Sequence, residues 1–427
     1  ISITVNGFGF HLTRESMMTF HQGKMHKFTI QVQNSMPTGD YQFKILDEAV
    51  TVWESELVSH NGTVREYVSV HVPEAGRLKQ IIELMDISPL SISNLKVTGR
   101  LTREDFDYIN EAMPYLEAIN MYDASLVDSY LDGEYHNDVI PPAAFKNMHS
   151  LKYVTFPKKL KKIGPTAFED TGLTGSLVIP EGVSYIGNHA FSSYGGSINL
   201  TGELILPSTL EYIGSSAFSN CGFTGELRLP ESLNYLGTYA FSWNDFTGRL
   251  VIPLSLEEIP ASCFSSCLKI TEVVIPEGVV KIGEEAFYRV GIRTVIFPES
   301  LRIIDDSAFE GSNYSGHLVL PSNIEYIGER AFAFTQITGI DFPEGLTFCG
   351  ESAFYFDKEL SGVLEFPASL KVIPDDCFAY CSKLEGIVIP SGLESIGSYA
   401  FRGCTSLAAI TSKALVPPVM DSNNVFD

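Results

Sequence analysis

The chain of 427 residues is 44% hydrophobic and 19% charged, enough apolar material for a folded core and unlike the composition of a disordered chain. Its formal net charge of −23 works against nucleic acids and anionic membrane surfaces as partners. No apolar run approaches the roughly 20 residues that span a bilayer. The chain begins at Ile1 with neither an initiator Met nor a charged-then-apolar leader, so the numbering is expected to start inside a longer precursor.

Residues 1–72 hold alternating runs, ITVNGFGFHL, HKFTIQVQ, YQFKIL and VREYVSVHV, separated by turn-rich HQGK, NSMPTGD and SHNGT. They predict a small antiparallel β module. Residues 73–139 predict the cap of a repeat stack. Leu78, Ile81, Ile82 and Met85 share one helical stripe, and Thr102 with Asp105 makes a capping-box pattern ahead of Phe106, Ile109 and Met113. A helix pair with a polar outer face is what the open end of a solenoid requires. Ile92, Leu95 and Val97, then Leu116, Ile119 and Met121, already carry L-x-x-L-x-L spacing, so the stack starts early. Asp123 to Asp138 is acidic and turn-like, an irregular first loop. Asp128, Asp132, Glu134 and Asp138 lack EF-hand spacing and read as solvated rather than as a calcium site.

From 140 to 427 the chain repeats. A Phe recurs at Phe145, Phe168, Phe191, Phe218, Phe241, Phe264, Phe287, Phe309, Phe332, Phe354, Phe378 and Phe401, in steps of 22 to 27 residues. Such a period marks a solenoid. A proline stands 11 residues before each of these from Phe168 onward, at Pro157, Pro180 and so on to Pro390, whereas the Phe-to-Pro distance varies from 11 to 16 residues. The fixed arc is packed and the variable arc is a loop. Residues one and three before the proline are apolar, as in Val273 and Ile275, and predict a strand with one buried face that proline terminates. Three and six residues past it, as at Val279 and Ile282, the chain turns inward again. A Gly usually follows, Gly187, Gly214, Gly237, Gly283, Gly328 and Gly397, at a corner expected to need positive φ. A small residue and the Phe complete the unit. The tail from Thr411 to Asp427 contains Pro417 but no further unit, and reads as a partial terminal coil. At about 4.8 Å per rung, twelve to fourteen rungs would make a body roughly 60 Å long.

The unit is similar to the BspA-like leucine-rich repeats of surface antigens of Bacteroides and relatives, roughly LxxIxIPxxVxxIGxxAFxxC, which Leu384 to Cys404, LEGIVIPSGLESIGSYAFRGC, matches almost letter for letter. The likeness covers about residues 92 to 410. It implies a mainly β fold, a leucine-rich-repeat solenoid of about 12 repeats with a parallel sheet on one face, to which the patterns above add a helical N-terminal cap and a small antiparallel β domain in front. The asparagine three residues past the strand in the general leucine-rich pattern is absent, so its ladder should be missing. Ile3 to Trp53, with TVNG, FHQGKMHKFTIQV and AVTVWESE, resembles the closing strands of a fimbrillin-like β-sandwich, which the chain would carry only in part.

Every cysteine has an explanation within the repeat. Cys221, Cys267, Cys381 and Cys404 lie three past the Phe, Cys263 and Cys377 take the small-residue slot, and Cys349 replaces the inward Ile. They read as small buried residues. Cys381 and Cys404, on adjacent rungs, are close enough to bridge but are expected to be free. With no CxxC pair there is no zinc knuckle. His149, His189 and His317 stand at unrelated repeat positions, and no HExxH, GxSxG, Walker or GxGxxG context is present. Neither an enzyme, a cofactor nor a metal is expected.

Surface remains. Residues two before the proline face away from the core, and stack Val251, Val274, Ile296 and Val319 beside Asp341 and Glu365. This row is either strand propensity or a partner-binding stripe on a concave sheet. Tyr185, Tyr212 and Tyr235 share the register five past the proline, and Phe334, Phe356 and Tyr380 the one two past the Phe. Stacked rings would bind carbohydrate or protein, or simply close coil corners. The family likeness implies a non-enzymatic, cell-surface adhesion protein, outer-membrane anchored through its missing leader, with a host or bacterial surface protein as ligand. The alternative is a glycan-binding or fimbria-associated assembly component.

Overall fold

The computed structural model describes residues 66–427, apart from 196–198, 421 and 423, and the backbone of six short strands between residues 2 and 59. Among the latter, Ser2–Val5 pairs antiparallel with Phe8–Phe10 and with Phe43–Asp47, which pairs in turn with Val50–Glu54. The HQGKMHKFTIQV stretch that carries much of the fimbrillin likeness lies outside the described residues. Val68–Val72, grouped with this module by its alternation, pairs instead in parallel with Asn94–Leu101 and so joins the solenoid. A period of two identifies a strand with one buried face but says nothing of its direction.

Two helices close the N-terminal end, α1 (Leu78–Leu84) and α2 (Arg103–Ala112). The Asp105 carboxylate is shared between their starts. It accepts the Thr102 N–H at 2.9 Å within the α2 capping box, and the Gly76 and Leu78 N–H groups at 2.8 and 2.9 Å at the head of α1. Asp123 to Asp138 is more regular than its acidity suggests. It contains the hairpin Ser129–Leu131 with Glu134–His136, turned by Asp132 and Gly133, both at positive φ.

From there the chain winds as a parallel solenoid, mainly β. One set of parallel pairings precedes the prolines; a second, of two-residue strands five and six past each repeat proline, lies in three sheets that begin at Val139–Ile140 and end at Val419–Met420. Between these faces lies the spine. Neighbouring rings from Phe145 to Phe401 stack with centroids 5.0–5.8 Å apart and planes within 22°. Phe106 of α2 closes one end edge-on at 5.5 Å. At the other, Phe426 stacks on Phe401 at 5.7 Å, so the tail supplies a further ring.

The arc holding each Phe forms a third ladder. In a typical rung the N–H groups of Thr166, Phe168 and Asp170 donate to the carbonyls of Asn188, Ala190 and Ser192 of the next rung. Aiming every second N–H along the axis requires left-handed backbone two residues before and after the Phe, as at Thr166 (φ 55°) and Asp170 (φ 52°). Among the described residues only Gly311 and Gly403 relieve that conformation; Trp243, Arg289, Phe334, Phe356 and Tyr380 adopt it at about 1 kcal/mol or more each. The ladder's open carbonyls on Ala144 and Lys146 are met by the Asn110 amide of α2 at 3.4 and 3.1 Å, and its last N–H groups, Phe401 and Gly403, by Val425 and Asp427.

The corner glycines have another role than the one expected of them. Gly187, Gly214, Gly237, Gly283, Gly328 and Gly397 do not adopt positive φ; a Cβ there would come within 2.3–2.8 Å of backbone nitrogen in the preceding rung. Glycine serves close approach of rungs. Its N–H also donates to the preceding rung, as Gly187 does to Ile163 and Gly328 to Ile304. The asparagine ladder is replaced by hydroxyls two past the proline. Thr209, Ser232, Ser300 and Ser369 donate to the carbonyls of Val183, Leu210, Val279 and Leu346 at 2.5–2.9 Å.

Candidate functional site

The pre-proline face carries the outward row. Backbone pairing puts Val251, Val274 and Ile296 in one register, Val319 beside Asp341 in another, and Glu365 beside Val388 in a third. Ile296 is 84% exposed, Val319 61% and Val251 43%, while Val274 is half-buried. Both carboxylates are exposed and paired, Asp341 with His317 Nε2 at 3.0 Å and Glu365 with Lys413 Nζ at 3.5 Å. A second outward row, two residues earlier in each strand, borders the apolar one. Its Arg249 and Glu272 pair at 3.1 Å, followed by Thr294 and His317. The period of two placed both rows outward, yet only the first had an apolar signal to draw attention.

The tyrosine row lies on the post-proline face. Tyr185, Tyr212 and Tyr235 are paired in register and stack nearly parallel, at 4.6 and 4.3 Å between centroids. Lys162, in the same register one rung earlier, places Nζ 5.6 Å from the Tyr185 ring. Burial, then the nearby Asp132 carboxylate, pushes the Tyr185 phenol up to about 12. Face-to-face stacking uses the ring faces a sugar would lie against, leaving the outer face of Tyr235, which is 44% exposed. Tyr326 and Phe348 repeat the stack at 4.7 Å in this same register, which the Phe in place of a second Tyr conceals in the sequence.

Phe334, Phe356 and Tyr380 gather on the arc, tilted rather than stacked, with cations over their rings: Arg330 on Phe334 at 5.5 Å, Lys358 on Phe356 at 3.9 Å and Arg402 on Tyr380 at 5.6 Å. All seven cysteines are buried free thiols. Cys221, Cys267, Cys381 and Cys404 donate to the carbonyl of the Phe one rung earlier at 3.0–3.3 Å. Cys349 and Cys377 make a thiol–thiol contact, with Sγ atoms 3.6 Å apart. Among the described residues no cluster of three or more His, Cys, Asp or Glu is arranged to hold a metal ion, and no helix is long and apolar enough to cross a membrane.

A Phe-centred parallel coil of this kind defines a leucine-rich-repeat solenoid. Residues 130–204, 194–316 and 314–422 match the model of the BspA type leucine rich repeat region, and the chain belongs to that family. A crystal structure of a leucine-rich repeat protein from Bacteroides ovatus shares the fold at 24% identity and a TM-score of 0.56, covering 71% of this chain and 83% of that one. A leucine rich cell surface protein from Faecalibacterium prausnitzii aligns over 91% of this chain and 96% of its own at 19% identity and a TM-score of 0.33. The pneumococcal vaccine antigen PcpA aligns over 74% of this chain and 79% of its own at 18% identity and a TM-score of 0.36. No curated protein matches the sequence.

Proposed function

We propose that this is a non-enzymatic cell-surface binding protein whose pre-proline face holds a protein ligand. Val251, Val274, Ile296 and Val319 are its apolar contacts, and Asp341 and Glu365 its charged border. The observation that carries the reading is Ile296, 84% exposed on a regular strand, with Val319 at 61% on the next rung. Contiguous exposed apolar side chains on a rigid sheet mark interaction surfaces. The net charge of −23 favours a ligand that surrounds its apolar patch with basic side chains. The surface location rests on the family, and the repeat positions absorb the residues from which a catalytic set would have to be built.

The test uses the labelled full chain against a panel of immobilised extracellular-matrix proteins and against a glycan array. Binding to a matrix protein should fall at least about tenfold in the Ile296→Lys, Val319→Lys double variant, with its circular dichroism unchanged. Unchanged binding overturns the reading. The open face of Tyr235 favours a second one, glycan capture or surface assembly. Binding confined to the glycan array and lost on changing Tyr185, Tyr212 and Tyr235 to Ser would establish it in place of the first.

A further inference from the structure

Along the post-proline ladder the residue seven past each proline donates its N–H to the preceding rung: Gly237 to Ile213, Gly283 to Ile259, Gly397 to Ile373. Asp305 takes the same slot and keeps its bond to Ile282, so a side chain alone does not break the ladder. Pro260 and Pro374 have no N–H to give. Among the described residues, the ladder is interrupted at those two rungs, between Tyr235–Leu236 and Glu258–Ile259 and between Phe348–Cys349 and Val372–Ile373. No pre-proline pairing crosses there either. At the second seam the rungs are joined through the Phe arc, by the Ser361 N–H on the Thr338 carbonyl at 3.1 Å, and by Ser369.

At that seam alone two cysteines face each other. Cys349 replaces the Ile of other rungs and Cys377 the Ala; at the first seam the corresponding residues are Leu236 and Cys263. The Sγ atoms lie 3.6 Å apart beside an apolar crevice too narrow to hold a water molecule, lined by Phe342, Phe366, Leu370 and Pro374. A disulfide needs about 2.05 Å, so the two sulfurs in contact must close by about 1.5 Å.

We propose that Cys349 and Cys377 form a redox staple, a disulfide that locks the rungs across the Pro374 seam in place of the missing hydrogen bonds. The oxidant is a low-molecular-weight disulfide. One cysteine thiolate attacks it, forming a mixed disulfide and expelling one thiolate. The other cysteine then attacks the mixed disulfide and expels the second, so two protein thiols are oxidised and one disulfide is reduced to two thiols. Burial raises the Cys377 thiol well above its ordinary range, so reaction proceeds when the seam opens.

The test treats the full chain with oxidised glutathione under native conditions, alkylates in denaturant and maps peptides by mass spectrometry. The expected product links Cys349 to Cys377 with the other cysteines alkylated. In it, amide exchange around Phe348 and Ile373 slows at least about tenfold relative to the reduced chain. Cys349→Ile and Cys377→Ala, which restore the residues of other rungs, should abolish both effects while the circular dichroism is retained. Pro374→Gly should slow oxidation by restoring an N–H toward Cys349. Full alkylation of all cysteines, a preferred Cys381–Cys404 link, or a Cys349–Cys377 link without slower exchange each overturns the proposal.

Discussion

Three residues past several of the spine Phe residues, a side chain points into the core at the carbonyl of the previous rung's Phe. Thiols fill this slot at Cys221, Cys267, Cys381 and Cys404, and the Asn244 amide donates there to Phe218 at 2.8 Å. Asp357 occupies the same slot, fully buried. Its Oδ1 accepts from the Thr335 N–H and hydroxyl at 2.7 and 2.9 Å, and its Oδ2 has no partner. An ionised carboxylate cannot donate, and burial drives the Asp357 acid well above its ordinary value. The folded state therefore keeps a proton that the unfolded chain releases, so this stability is full below about pH 4 and declines as pH rises. Asp357→Asn should raise stability at pH 7 by about 1–3 kcal/mol and flatten the decline between pH 4 and 7 in urea titrations. The repeat register made these positions legible as buried. Their donor role was hidden because cysteine reads first as a small apolar residue.

At the scale of the repeating unit, the Phe spacing was enough to predict the spine, because a ring that recurs with its flanking Ala has one place to go in a stacked coil. The second ladder and the arc were not legible. Strands of two residues have too little periodicity to register, and the left-handed arc positions hold Thr, His, Trp and Arg rather than the glycines that would have signalled them. The glycines that were visible serve close approach instead. Phe264, stacked at 5.8 and 5.7 Å on both sides, should cost about 3–5 kcal/mol when changed to Ala. Phe426→Ala, at a 39% exposed ring with one neighbour, should cost less than half of that in the same denaturation series.

Over the whole solenoid, the two prolines in the glycine slot divide the post-proline ladder into three blocks, 139–236, 258–349 and 372–420. Pro260 and Pro374 stood in plain view in IPASCF and IPDDCF, but the missing N–H matters only once the slot is known to donate. Hydrogen exchange should find amides at both seams less protected than those at Ile186 or Ile304. Pro260→Gly should raise protection at Glu258 and Ile259 by restoring a donor toward Leu236; equal protection before and after would mean that the break has another cause. The outward row was likewise legible as a register. The degree to which Ile296 stands clear of its neighbours was not, since it depends on the bordering row.

The third ladder has an electrical consequence. Because its N–H groups all point toward the C-terminal end and its carbonyls toward α2, the peptide dipoles of successive rungs add head to tail, as in a helix, over the full length of the spine. The Asn110 amide thus sits at the negative pole of this ladder and the Asp427 carbonyl at its positive one, while the glycine-slot N–H groups of the second ladder point the other way and offset part of that polarisation.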